Sequence, residues 1–138
     1  MNKLSRIVRL TPLVAVCAAA AGANEPPTGK CATAAKAMYG IAALEVGSEG
    51  VREPKRTRYV RPEFPTKWPE ACRSTHLTHE FLIDLDGKVA RVWTVRASCR
   101  EIDEIIAAAI RGWQYEPTVV KGAPVPVCVM AQTIVDLR

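Results

Sequence analysis

The chain of 138 residues has little of what active centres are usually built from. Its two histidines are His76 and His79. On a strand, positions i and i+3 point to opposite faces, so the pair is badly placed to share one metal ion, and no third histidine completes a site. There is no C-x-x-C, no Gly-rich phosphate loop, and no zinc-protease or hydrolase motif. Ser74, Thr75 and His76 are neighbours, but in no spacing that couples a nucleophile to a base. Asp84 and Asp86 flank a turn, where Asp is common for backbone reasons. These absences speak against catalysis, a metal or a cofactor, and the chain is read as a non-enzyme.

Long hydrophobic runs are also missing. One apolar run, from Leu10 to about Ala21, falls short of the ~20 residues a spanning helix needs. It follows a basic start, Lys3, Arg6 and Arg9, and ends in small Ala21 and Ala23 at the positions a signal peptidase reads. This is the anatomy of a secretory leader over 1–23, cleaved between Ala23 and Asn24. Two alternatives are a lipid attached at Cys17, which follows Val16 where a small residue is expected, and a retained anchor.

An excess of one charge is equally absent once the leader is removed. Loss of three of the 19 basic residues and none of the 14 acidic ones lowers the net charge from +5 to +2. The basic pI is therefore no argument for nucleic acid. One local cluster remains, "VREPKRTRYVR" at 51–61, read as a solvated arm or a contact for an anionic surface.

Cysteine is what the chain does have. Without Cys17 there remain Cys31, Cys72, Cys99 and Cys128, an even set that in an exported chain reads as two disulfides. Residues 30–46, "KCATAAKAMYGIAALEV", form an expected helix with Ala34, Met38, Ile41 and Leu44 (or Ala42) on one stripe. Gly40 weakens it, and "GSEG" at 47–50 ends it. The prolines at 62, 65 and 69 leave room for a short helix at most.

From residue 76 two β-rich runs meet at Asp86-Gly87, a strong hairpin signal. The alternation slips among Val89, Val92 and Val95, which indicates a bulge or burial on both faces. A helix follows, with Ser98 and Glu101 as an S-x-x-E capping box. Glu101, Asp103 and Glu104 sit at the positive end of its dipole. Ile102, Ile105, Ile106, Ala109 and Ile110 form its apolar stripe, and Gly112 is its left-handed closing residue. In "RGWQYEPTVVKGAPVP" at 111–126, Trp113 and Tyr115 are placed at the helix–sheet seam and Lys121-Gly122 at a turn. "VPVCVMAQTIVDL" is the last strand, begun at an edge by Pro124 and Pro126.

A strand–helix–strand crossover then gives an α+β fold with a small three-stranded sheet of order 2-1-3, one amphipathic helix on it and an extra N-terminal helix. A hairpin turning at 85–87 sets Cys99 opposite residue 73 or 74, beside Cys72 and within reach of a bridge. Cys72–Cys99 is therefore expected, and Cys31–Cys128 by elimination.

Residues 62–137 resemble the C-terminal domain of the TonB family of periplasmic energy transducers. The resemblance rests on "PEFP" at 62–65, on "EFLIDLDGKVARVWTV" and on "EIDEIIAAAIRGWQYEP" with its Trp113-x-Tyr115-x-Pro117. It continues through "KGAPVPVCVMAQTIVDL" with Gly122, Pro124 and Val125. With the leader (1–23) and the N-terminal helix and basic arm (24–61), it divides the chain into three segments, the third being the domain proper (62–138). It also implies a periplasmic module that pairs its last strand with an extended segment of an outer-membrane receptor, the TonB box. Main-chain bonds along Val127, Val129, Ala131, Thr133 and Val135 would give affinity, and their side chains selectivity. No long proline-rich spacer is present, and Cys128 lies in the would-be docking strand, where a bridge to the N-terminal helix would cover or brace part of the edge; an open edge speaks for binding and a covered one for a structural role. An anchored minimal transducer and a structural envelope protein without receptor binding are the alternatives. Edge-to-edge homodimers are compatible with such a sheet.

Overall fold

The computed structural model describes residues 11–14, 28–48 and 50–137. Its elements in chain order are β1 (Thr11–Val14), α1 (Lys30–Tyr39), β2 (Leu44–Glu45), β3 (Arg56–Arg58) and, after a 3-10 turn at Glu70–Cys72, β4 (Ser74–Ile83) and β5 (Val89–Ala97). Then come α2 (Arg100–Arg111), β6 (Gln114–Tyr115), β7 (Val119–Val120), β8 (Ala123–Pro124) and β9 (Val127–Asp136). The mixed α+β class stands. The expected leader, with Cys17 and the Ala23–Asn24 cleavage point, lies outside the described residues except for Thr11–Val14.

The β4–β5 hairpin is built by its turn. Gly87 sits at φ 88°, and the Asp84 carboxylate accepts the backbone N–H groups of Asp86 and Lys88, both at 2.9 Å. The pairing register shifts twice, between Thr78 and His79 and between Leu82 and Ile83. β4 is buried from Leu77 to Ile83 because helices cover both of its faces. Leu77, Phe81 and Ile83 pack with Ile102, Ile106 and Ile110 of α2 and with Trp113, Tyr115, Val127 and Val129. On the opposite face Leu82 packs with Cys31 and Ala35 of α1 and with Cys128.

β9 pairs antiparallel with β4 along its whole length, from Ser74 opposite Asp136 to Ile83 opposite Val127. The sheet has five strands rather than three, in the order β1-β9-β4-β5 with β2 also paired to β9. The two extra strands come from the N-terminal third of the chain, where short segments have no alternating pattern to announce them.

Several local expectations are corrected. α1 stops at Tyr39, not at 46, because Gly40 takes φ 68° and closes it. Its buried residues are Cys31 and Ala35, whereas Met38 and Ile41 of the expected stripe are exposed. α2 begins after Cys99, with no side-chain cap. Cys99 is tied to Cys72 in an extended conformation, so the N-cap moves one residue on, and the Ser98 hydroxyl instead accepts the His76 backbone N–H. Gly112 is right-handed, at φ −90°. Its glycine is a packing requirement, since a Cβ there would meet Val60 Cγ2 at 2.7 Å.

The basic arm is folded against the domain. β3 pairs with β6, and the Arg56 guanidinium lies 4.6 Å from the Tyr59 ring centre and 4.7 Å from that of Trp113, in cation–π range. The cluster's neighbouring rings hold that charge, leaving less of the arm in solvent. Further along, β7 and β8 form a two-residue hairpin in which both Lys121 and Gly122 have positive φ, as a twist-matched tight turn requires.

Candidate functional site: the outer edge of the last strand

The main chain of β9 has two sides, one facing β4 and one facing away. Which residues face away follows from β2. Leu44 N–H bonds the Pro126 carbonyl and Val46 N–H bonds the Cys128 carbonyl, both at 3.0 Å. Backbone groups alternate along a strand, so Met130, Gln132 and Ile134 also turn their N–H and C=O groups outward. Val127, Val129, Ala131, Thr133 and Val135 turn theirs toward β4, and their side chains are all buried. These five residues therefore carry the core and cannot supply selectivity at the edge. The side chains on the other face of the strand are those of Met130 and Gln132, both half-buried, and of exposed Ile134.

Two segments of the chain already lie on this edge. β2 pairs parallel with Val127 and Cys128, and β1 pairs antiparallel with Ala131 to Ile134. The β2 cover is anchored through α1 in two ways. The Cys31–Cys128 disulfide joins α1 to β9 with Cα atoms 5.9 Å apart. The buried Glu80 carboxylate accepts the Cys31 N–H at 2.7 Å and the Thr28 N–H at 2.9 Å, and also the Thr28 hydroxyl. A carboxylate at the first turn satisfies donors that the helix itself cannot. The second disulfide, Cys72–Cys99, closes the far end of the hairpin with Cα atoms 5.4 Å apart.

The remaining polar clusters are structural in their geometry. His79 is fully buried, and its Nε2 lies 2.6 Å from Asp103 Oδ1. A carboxylate can only accept, so Nε2 carries the proton. Nδ1 is then an acceptor without a partner among the described residues. Burial holds the His79 pKa below its ordinary value, against the opposing pull of Asp103. The Thr94 hydroxyl bonds both Asp103 oxygens and not the imidazole, so the trio pins α2 to β5 and sets no nucleophile on a base. His76 is exposed, and the two histidines diverge as a strand dictates.

Cys72, Cys99 and Glu101 bring their ligand atoms within 4.8 Å of one another. The two sulfurs are bonded to each other, so neither is a thiolate for a metal. On the α1 side an open groove of about 530 Å³ runs between α1 and β5, with Lys30, Arg91 and Trp93 among its walls. No helix among the described residues is long and apolar enough to cross a membrane.

The sequence leaves open whether residues 30–61 cover this edge; that Leu44–Glu45 and Thr11–Val14 pair with it, and that Glu80 anchors α1, is not legible there. Pro12 within an apolar run, and a carboxylate in a strand otherwise buried, are the signals that could have drawn attention to them. No protein-family model matches the chain, and no curated protein matches it.

Proposed function

We propose that this chain is an exported protein-binding module of the TonB C-terminal kind, which recognises an extended peptide segment of an outer-membrane transport receptor by β-augmentation. On this reading β4, β5 and β9 are the family's three-stranded core in the order 2-1-3, and β1 and β2 are additions to it. The observation that carries the reading is the outer edge of β9, which takes up extended segments in both directions, β2 parallel and β1 antiparallel. Main-chain hydrogen bonds supply affinity in this mode of recognition. Selectivity falls to the side chains on the even-numbered face of the strand, half-buried Met130 and exposed Ile134. Two disulfides fit an oxidising compartment such as the periplasm. His79, Asp103 and Thr94 do not offer a rival catalytic reading, since the Thr94 hydroxyl bonds Asp103 and not the imidazole.

The test is an NMR titration of the exported protein with TonB-box peptides. Amide shifts at Met130, Gln132 and Ile134 are expected. No shift along 127–135 at millimolar peptide overturns the binding reading and leaves the structural envelope protein, the alternative that the cover of this edge by β1 and β2 favours. The intact mass of the exported chain bears on the anchored transducer, which requires residues 1–23 to be retained.

A further inference from the structure

We propose that the part of this edge open to a partner is the window between Cys128 and the end of β9, and that Thr11–Val14 of the same chain, paired with Ala131–Ile134, is its first occupant, guarding the edge until the leader is removed. The inference rests on the edge reading above for the window's purpose, but the guard itself stands on the chain's own pairing.

The window has defined ends. Toward the start of β9, Leu44–Glu45 covers Val127–Cys128, and the Cys31–Cys128 bridge holds that cover in place. An arriving strand must therefore begin beyond residue 128. Toward the other end, β9 itself stops at Asp136, and the next residue, Leu137, gives its N–H to the Arg73 carbonyl at 2.7 Å on the β4 side. Between these limits β1 pairs in antiparallel register, Thr11 with Ile134, Pro12 with Thr133, Leu13 with Gln132 and Val14 with Ala131.

That register suits the sequence of the occupant. Gln132 and Ile134 present outward N–H and C=O groups, so Leu13 and Thr11 stand at hydrogen-bonded positions. Pro12 stands opposite Thr133, whose main chain faces β4. In an antiparallel pair the hydrogen-bonded and non-bonded positions alternate, so the proline falls where a missing N–H costs no bond. A shift by one residue would put Pro12 at a bonded position and lose it. A proline at such a position also keeps β1 from recruiting a further strand on its own outer side. The occupant is thus both register-locked and terminating.

Exposed edge amides are templates for unwanted pairing. An unprocessed chain that fills its own window avoids this, and cleavage at Ala23 releases the guard together with the rest of the leader. The partner class that follows is a short extended segment, antiparallel to β9, which tolerates proline opposite Thr133.

The experiment uses the full-length chain, oxidised in vitro, and compares it with its Leu13→Pro and Pro12→Ala variants by hydrogen exchange. Leu13→Pro removes a bonded N–H and is expected to speed exchange at Gln132 and Ile134 by at least about tenfold. Pro12→Ala is expected to leave both unchanged. The Val129 and Ala131 amides face β4 and report whether the sheet itself is intact. Unchanged exchange at Gln132 and Ile134 in Leu13→Pro, with the β4-facing amides still protected, overturns the guard. Faster exchange there, combined with no response to TonB-box peptide, keeps the guard and overturns receptor binding instead.

Discussion

Gly87 is the residue whose replacement the fold tolerates least. Its φ of 88° is left-handed, and a Cβ there would lie 2.0 Å from the Tyr115 carbonyl oxygen. Its own carbonyl accepts the Tyr115 N–H at 2.7 Å, so the hairpin turn is docked on the Trp113–Tyr115 stretch. Gly122 has a similar φ, 80°, with nothing within 4 Å of an added Cβ. Gly122→Ala should therefore cost only the left-handed penalty of roughly 1–2 kcal/mol. Gly87→Ala should cost that plus displacement of backbone, about 3 kcal/mol or more, and urea unfolding of the two variants measures the difference. His79 sets a pH dependence. Its folded pKa lies below the ordinary 6.5, so the unfolded chain takes up a proton first as the pH falls. The stability tied to this neutral imidazole is complete above about 6.5 and is lost as the pH drops toward the folded value, at no more than ~1.4 kcal/mol per pH unit. Denaturation midpoints between pH 7 and pH 5 should fall less in His79→Gln than in the parent. At this scale the Asp86-Gly87 turn was legible, because its cause is local. The contact of Gly87 with Tyr115, 28 positions away, was not.

Among the elements, α1 depends most on its anchors. It is ten residues long, too short to be stable alone in water, and it buries little beyond Cys31 and Ala35. The Glu80 carboxylate and the Cys31–Cys128 bridge hold it. In the chain-entropy account a loop of ~100 residues is worth about 4.7 kcal/mol and one of ~28 about 3.6. The sequence separations of 97 and 27 thus rank the first bridge above the second. Replacing Cys31 and Cys128 by Ala should lower stability by ~2–4 kcal/mol and loosen β2 as well. The Leu44 and Val46 amides, which bond β9, should exchange faster, while the β4–β9 ladder stays protected. Unchanged exchange at both would mean that β2 holds without its staple. The helices show what sequence patterning conveys. The stripe of α2 was readable from Ile102 to Ile110 because it faces a sheet along its length. That of α1 was misread past Gly40, since an Ala-rich run carries no periodicity strong enough to mark its end.

For the whole molecule, the edge strand is visible in the sequence, and a cover from residues 30–61 is an open possibility there, but the residues that pair with it are not visible. Pro124, Pro126 and the apolar run after them identify β9 from local chemistry. Leu44–Glu45 and Thr11–Val14 pair with it by backbone alone, over two and four residues, and backbone pairing leaves no mark on side-chain pattern. The five odd-numbered residues expected to carry recognition lie on the buried face of β9, because register sets which face is which and no single strand reveals it. The disulfides were within reach because the hairpin fixes one pair and leaves two cysteines for the other. Their arrangement is nested, the 72–99 loop lying inside the 31–128 loop. A chain threaded through a membrane from its N-terminus presents Cys31 first and Cys72 second, long before Cys128. An oxidant that joins thiols as they emerge would link Cys31 to Cys72, a pair the folded protein does not contain. Reaching the native arrangement then requires thiolate attack on that early bond and exchange of partners, a process of seconds to hours without help. On the export proposed above, oxidative refolding of the reduced chain should therefore pass through a Cys31–Cys72 species before the 31–128 and 72–99 pairs form, as a non-reduced peptide map over time would check.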